Sequence, residues 1–273
     1  MIIKKYEPRT QSDPRLAAGI RAEKQMAHYL DRHFGHLEDF LLLHDLRFEF
    51  AGEAAQIDHL VLHPYGAALI ESKSVSSAVR INSLGEWERQ NGRSWAGMPD
   101  PLLQVERQAL LLKRLLESRT DELLEKLAGM VQTTFRNMAL DRFAAISDGG
   151  KIQRARPDQA PGALKADAVP GAITDTVARY RRGNSLLNWN LKEIMDTPRD
   201  FKRVELRRIA RFLAAQHRPR SSRPTKTQRA GGDLVPCKYC ASLDVGQPRR
   251  GRYGPYVVCN ECGKNTSLRR PAL

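Results

Sequence analysis

Apolar residues near the start of the chain recur at helical spacing. Leu16, Ile20, Ala27, Leu30 and Phe34 predict a helix over about 14–34, with Glu23 set inside the apolar stripe. The pattern then shortens. Phe40–Phe50, Gln56–His63 and Ala67–Ser74 read as three strands, the last two joined by the turn His63-Pro-Tyr-Gly66. A short strand at Val79–Asn82 leads into a loop rich in Gly and Trp, Gly85–Asp100. Pro101 opens a strong helical pattern through Leu116, and a second helical stretch is predicted over Thr120–Thr133. A strand near Met138–Ser147 is stopped by Asp148-Gly-Gly150. Residues 151–171 are irregular apart from a short strand at Leu164–Ala168, and helical patterns return at Ile173–Arg182 and Phe201–Ala215. Helix, three strands, helix, strand is the order of an α/β core with a mixed sheet.

The periodicity stops at residue 216. Residues 216–232 carry Arg, Lys, Ser, Pro and Gly without hydrophobic repeat and read as a basic flexible linker. Beyond it stand the only four cysteines of the 273 residues, in two CxxC pairs, Cys237/Cys240 and Cys259/Cys262. Two such knuckles present four thiolates to one tetrahedral ion, so a structural Zn²⁺ ribbon is expected over 233–273. Charge changes the picture further. From His217 to the end there are twelve Lys/Arg against three acids, so the tail supplies +9 of the net +14. A surplus that dense favours polyanions through phosphate contacts and counterion release. No apolar run is long enough to span a membrane, and the opening Met1–Pro8 has no signal-peptide pattern, so a cytoplasmic protein with no membrane partner is expected.

Candidate chemistry lies upstream. A carboxylate in an apolar stripe, as Glu23 is, calls for a partner or a metal because desolvation costs several kcal/mol. Asp58 falls early in its strand. Glu71 and Lys73 are two apart, so both project from one face, and the hairpin turn makes them neighbours of Asp58. Two carboxylates with an ammonium suit a hard cation such as Mg²⁺ and an attacking water. Salt-bridged strands carry the same residue types, so order along the chain holds the signal. Gln104 shares a helical face with Gln108, Leu111 and Leu112, where it is able to hold a phosphate oxygen or the lysine. Trp87 and Trp95 read as loop anchors or base-stacking groups, and His59 and His63 as residues flanking the sheet edge rather than ligands.

The succession Gly19-Ile-Arg-Ala-Glu23, Gln56-Ile-Asp58-His-Leu60, Ala68-Leu-Ile-Glu71-Ser-Lys73 and Pro101-Leu-Leu-Gln104 resembles the PD-(D/E)xK nuclease superfamily, more narrowly its nuclease-related (NERD) domain, over about 14–180. The resemblance implies a restriction-endonuclease-like core and Mg²⁺- or Mn²⁺-dependent phosphodiester cleavage. Glu23, Asp58 and Glu71 would stand at its acidic positions, Lys73 at its lysine and Gln104 at its helical glutamine, with Asp58 and Glu71 holding the ion. Ile57 stands where the family pattern has proline. Arg250-Gly-Arg-Tyr-Gly-Pro-Tyr-Val-Val-Cys259 is similar to the zinc-binding repeats of bacterial type IA topoisomerases. That likeness implies DNA contact by Arg249, Arg250, Arg252, Tyr253 and Tyr256, although the second knuckle lacks the aromatic-proline insertion usual there. The expectation is a metal-dependent DNA nuclease over 14–180, a helical extension at 181–215, the linker, and a DNA-gripping ribbon. A non-catalytic nucleic-acid-binding protein retaining a nuclease fold is the alternative, and a zinc-stabilised protein adaptor a third. These residues do not distinguish single-stranded, duplex or branched DNA from RNA.

Overall fold

The structure is a computed structural model and describes residues 1–127, 131–183, 198, 200–219, 237–240, 249–251, 254–259 and 262–267. The predicted linker beyond Pro219, much of the predicted 181–215 extension, and Arg252 and Tyr253 lie outside the described residues. The chain divides into two compact units, Met1–Arg220 and Ser221–Leu273.

The first unit opens with β1 (Ile2–Lys4) and α1 (Pro14–Phe34), followed by β2 (Leu41–Phe50), β3 (Glu53–His63), β4 (Gly66–Lys73), β5 (Ala78–Ile81), β6 (Trp87–Asn91) and β7 (Ser94–Gly97). Then come α2 (Pro101–Glu117), α3 (Thr120–Leu123), β8 (Lys126–Leu127), β9 (Val131–Gln132), β10 (Ala139–Ile146), β11 (Lys151–Arg154) and β12 (Ala163–Lys165). A 3₁₀ turn at Ala166–Ala168, α4 (Val169–Gly183) and α5 (Arg203–Gln216) complete it. The two long helices start the same way. Asp13 accepts from the Arg15 and Leu16 N–H groups ahead of Pro14, and Asp100 accepts from the Leu102 and Leu103 N–H groups ahead of Pro101. An Asp cap satisfies orphan donors, while proline at the first helical position gives up no hydrogen bond.

Six strands form a mixed sheet in the order β1-β2-β3-β4-β10-β12. β2, β3 and β4 are antiparallel neighbours, whereas β10 runs parallel to β4 and β12 parallel to β10. One face packs on α2 and α5 through Leu43, Leu60, Leu69, Leu112, Ile209 and Leu213. The other packs on α1 and α4 through Leu42, Val61, Ile70, Leu30 and Ile173. A second sheet, β11-β5-β6-β7, closes over Val79, Ile81 and Trp87.

β2 and β3 meet in a two-residue turn, Ala51-Gly52, with both residues at positive φ (51° and 79°), the type I′ geometry that matches strand twist. Gly66 is required by a close approach. It has φ 153°, and a Cβ there would lie 2.1 Å from the Ala139 carbonyl oxygen where β4 meets β10. Gly66→Ala should therefore cost about 3 kcal/mol of stability, read as a lower urea midpoint. An unchanged midpoint would show that β10 moves aside freely.

Several expectations are corrected by the fold. Residues 151–154, read as irregular, form β11 paired with β5, and the strand expected at Leu164–Ala168 ends at Lys165 in a 3₁₀ turn. The helix predicted over Thr120–Thr133 stops at Leu123 and gives way to the short strands β8 and β9. Buried Glu205 of α5 takes the Glu125 N–H at 2.9 Å, and Leu123 and Leu124 are both drawn into the core, so tertiary contacts override local propensity. The loop predicted at Gly85–Asp100 is largely a hairpin, β6 and β7 turning at Gly92-Arg93. His59 and His63 do not flank the sheet edge: both are fully buried on the central strand β3. The His44 and His59 Nδ1 atoms are 2.8 Å apart, and His63 Nε2 bonds Asp141 at 3.1 Å.

The second unit contains β13 (Arg249–Gly251), β14 (Gly254–Val258) and β15 (Asn265–Ser267) in one antiparallel sheet. Among the described residues no helix is long and apolar enough to cross a membrane.

Candidate active site

Alternation along β2 and β3 slips by one residue at the same place in both strands. Leu41 and Leu43 share a core with Leu46 and Phe48, and across from them Leu60 and Leu62 share it with Ile57 and Ala55. The cross-strand register is the same on either side, with His44↔His59 and Leu46↔Ile57. Asp45 and Asp58 occupy the slip, and Asp45 takes φ 51°, a left-handed conformation that Asp tolerates better than most residues. The β3–β4 ladder ends here too, running from His63↔Gly66 to His59↔Ile70, so Asp58 and Glu71 are the next positions at its open end. Past this fork the Ser72 N–H donates to Asp58 Oδ2 at 2.8 Å, and Gln108 Nε2 donates to the Gln56 carbonyl at 2.6 Å. Gln108 is thus a buried support of β3.

Into the fork project Glu71 and Lys73, side by side on β4 as period-two geometry requires. Lys73 Nζ donates to Glu71 Oε1 at 2.6 Å and to Gln104 Oε1 of α2 at 3.1 Å. Glu71 is buried, while Asp58, Lys73 and Gln104 keep part of their surface in solvent. Burial first, then the Glu71 and Glu23 carboxylates, push the Asp58 carboxyl well above the usual carboxylate range, against the Ser72 N–H and Lys73. This is a site with too much negative charge for its surroundings, and a cation would relieve it.

Glu23 reaches the same region from α1 and is ion-paired to Arg9, which also lies 3.6 Å from Asp45. Gln56 Nε2 donates to Asp45 Oδ1 at 2.9 Å. The fold therefore brings Glu23, Asp58, Glu71, Lys73 and Gln104 to one place, and adds Asp45, Gln56 and Arg9. The slip in alternation at Asp45 is visible in the sequence; nothing local marks Arg9.

A family model, the nuclease-related domain (NERD), matches residues 18–132. The match covers 115 of the 273 residues. No curated protein and no solved structure matches the chain. The matched span contains the whole constellation of Glu23, Asp45, Asp58, Glu71, Lys73 and Gln104, while Arg9 precedes it. Trp87 is a buried anchor, and Trp95 lies under the Arg80 guanidinium at 4.4 Å, so both rings are engaged within the second sheet.

The second unit holds a separate cluster. Sγ atoms of Cys237, Cys240, Cys259 and Cys262 all lie within 4.8 Å of one another. The pairs Cys237–Cys262 and Cys240–Cys259 are each 3.5 Å apart. That is too long for disulfides and close to the edge of a tetrahedral tetrathiolate, so these residues fit zinc. The Tyr239 N–H on its sulfur is the leading cause that lowers the Cys237 thiol to about 6, easing loss of its proton to a metal. Among the described residues this is the one group of three or more His, Cys, Asp or Glu gathered so tightly. The acids of the matched span are not so gathered; Lys73 pairs with Glu71 and Arg9 with Glu23. Arg249 and Arg250 are exposed, and the Tyr256 ring lies against Gly251, where an added Cβ would meet it at 3.0 Å. Tyr239, which no motif singles out, is 57% exposed with Lys264 Nζ 4.8 Å above its ring.

Proposed function

We propose that the chain is a metal-dependent DNA nuclease whose second unit is a zinc ribbon gripping the substrate. The observation that carries the reading is Lys73 Nζ held between Glu71 Oε1 and Gln104 Oε1, beside an over-charged Asp58. Asp58 and Glu71 are the residues to hold Mg²⁺ or Mn²⁺, with the Ser72 carbonyl as a further oxygen donor. Such an ion supplies charge that polarises a phosphodiester and acidifies water. Lys73 orients the attacking water and takes part in its deprotonation, and Gln104 keeps the lysine directed at it. Water attacks phosphorus, the P–O bond to the leaving nucleotide breaks, and the products are a phosphate monoester and a hydroxyl. The Ser72 N–H fixes Asp58 for this role, and Glu23 completes the acidic wall. In the ribbon, Zn²⁺ on Cys237, Cys240, Cys259 and Cys262 would hold Arg249, Arg250 and Tyr256, with Arg252 and Tyr253, toward phosphates and bases. Four thiols at zinc-binding rather than disulfide separation fit a reducing, cytoplasmic setting.

Purified protein given linear, circular, single-stranded and forked DNA should cleave with Mg²⁺ or Mn²⁺ and stop in EDTA. Asp58→Ala should lose cleavage and keep DNA binding. Cleavage that persists in EDTA, or full activity in Asp58→Ala, would sink the proposal, and binding without any cleavage would leave the nucleic-acid-binding protein in its place.

A further inference from the structure

Arg9 has no role in the proposed chemistry, yet it is built into the site. The segment carrying it is tied at both ends. On one side β1 pairs with β2, and Lys4 Nζ donates to the His44 carbonyl at 3.0 Å. On the same side the Tyr6 hydroxyl donates to the Ile20 carbonyl at 3.2 Å, and on the other Asp13 caps α1. Between these anchors the Arg9 guanidinium pairs with Glu23 through Nη2 and approaches Asp45 through Nη1 at 3.6 Å. The side chains of Arg9, Glu23 and Asp45 are only 28%, 18% and 19% exposed, so water contributes little of the countercharge these carboxylates need. Arg9 Nε is buried with no hydrogen-bond partner. The guanidinium thus forgoes one bond while serving two carboxylates, the compromise expected of a group placed for its charge.

Charge counting gives the placement a meaning. Asp45 and Asp58 occupy the same step between the His44↔His59 and Leu46↔Ile57 pairs, and Glu23 contributes to raising Asp58, so the pair Glu23/Asp45 and the pair Asp58/Glu71 belong to one electrostatic site. Four carboxylates against the two fixed cations Lys73 and Arg9 leave a charge of −2, which one divalent ion neutralises. Without Arg9 the remainder is −3.

We infer that Arg9 is a fixed cation standing where a second divalent ion would otherwise bind between Glu23 and Asp45, so that the site takes a single ion on Asp58 and Glu71. The inference rests on the proposed nuclease reading. Arg9 is on this account a positioning residue: it sets the number of ions and directs the one ion to the Asp58/Glu71 fork.

The test counts Mn²⁺ on the zinc-loaded full chain by equilibrium dialysis and electron paramagnetic resonance, with no substrate and no activity readout. Thiolate-bound zinc stays in place, because Mn²⁺ stands lowest in the divalent affinity order. The native chain should bind one Mn²⁺. Arg9→Ala should bind two, with the spectral broadening of neighbouring Mn²⁺ ions, and Arg9→Lys should return to one. Arg9→Gln, which keeps much of the side chain's bulk without its charge, should also bind two and replaces the alanine variant if that one misfolds. Two ions in the native chain, or one in both Arg9→Ala and Arg9→Gln, overturns the inference and leaves the nuclease reading standing. A native chain that binds no Mn²⁺ overturns the nuclease reading instead, and this inference with it.

Discussion

Lys73→Ala should lower DNA cleavage by about 10²–10⁴-fold, the span typical of a positioned acid–base group. DNA affinity should change little, because the basic surplus lies in the tail. Lys73→Arg should not restore the rate, since a guanidinium keeps its proton and lacks the compact ammonium geometry that fits between Glu71 and Gln104. Gln104→Ala should lose a smaller part of the rate, because it frees the lysine without removing it. A second readout separates chemistry from structure. Lys73→Ala leaves Glu71 buried beside Asp58 without its cation, so the metal-free variant should be less stable by up to about 3 kcal/mol, a loss Mg²⁺ should largely recover. Cleavage retained at the native level in Lys73→Ala would remove the lysine from the mechanism.

Chelating the zinc should unfold the second unit and leave the first intact. Three short strands, β13–β15, cannot bury enough apolar surface to fold unaided, and Val257 and Thr266 are among the few fully buried side chains described there. Structural zinc in small fingers supplies apparent binding energies of about 10–16 kcal/mol at neutral pH, which exceeds any core such a unit could build. Metal analysis should find one Zn²⁺ per chain, and Cys259→Ser should reproduce the effect of chelation. DNA binding should weaken with it, and the slope of log affinity against log salt should fall by about 0.9 for each duplex phosphate that the protein no longer neutralises. Protein purified without chelator yet free of zinc would end this expectation, and unchanged DNA affinity after stripping would mean that the first unit makes its own grip.

Much of this architecture is legible in the sequence because local rules and tertiary structure agree. The Asp-Pro starts of α1 and α2 and the strand pattern of β2–β4 lie where propensity puts them, and Glu71 and Lys73 share a face because strands alternate. The failures have physical causes. Phe40–Phe50 reads as one uniform strand, yet Leu41-Leu-Leu-His-Asp-Leu46 changes phase inside it, and the paired change at Asp58 shows that the phase shift belongs to the site. The helix expected over Thr120–Thr133 is lost to a buried carboxylate more than seventy positions away in sequence, Glu205. Arg9 carries no sequence signal at all. Its partner Glu23 is fourteen residues distant and the pairing depends on how β1 docks, so no spacing rule connects them.

The parallel pairing of β10 with β4 has a consequence for moving this chemistry between proteins. Every carboxylate of the site lies within 18–132, but Glu71 and Lys73 sit on a strand whose outer neighbour is β10, at Ala144 and Ile146. The sheet's α2 side is completed by Leu206, Ile209 and Leu213 of α5. A graft cut at the recognisable borders would carry the reactive groups with one flank of their strand bare and a cavity where α5 belongs. The transplantable unit is set by packing and runs from β1, which brings Arg9, to the end of α5 at Gln216.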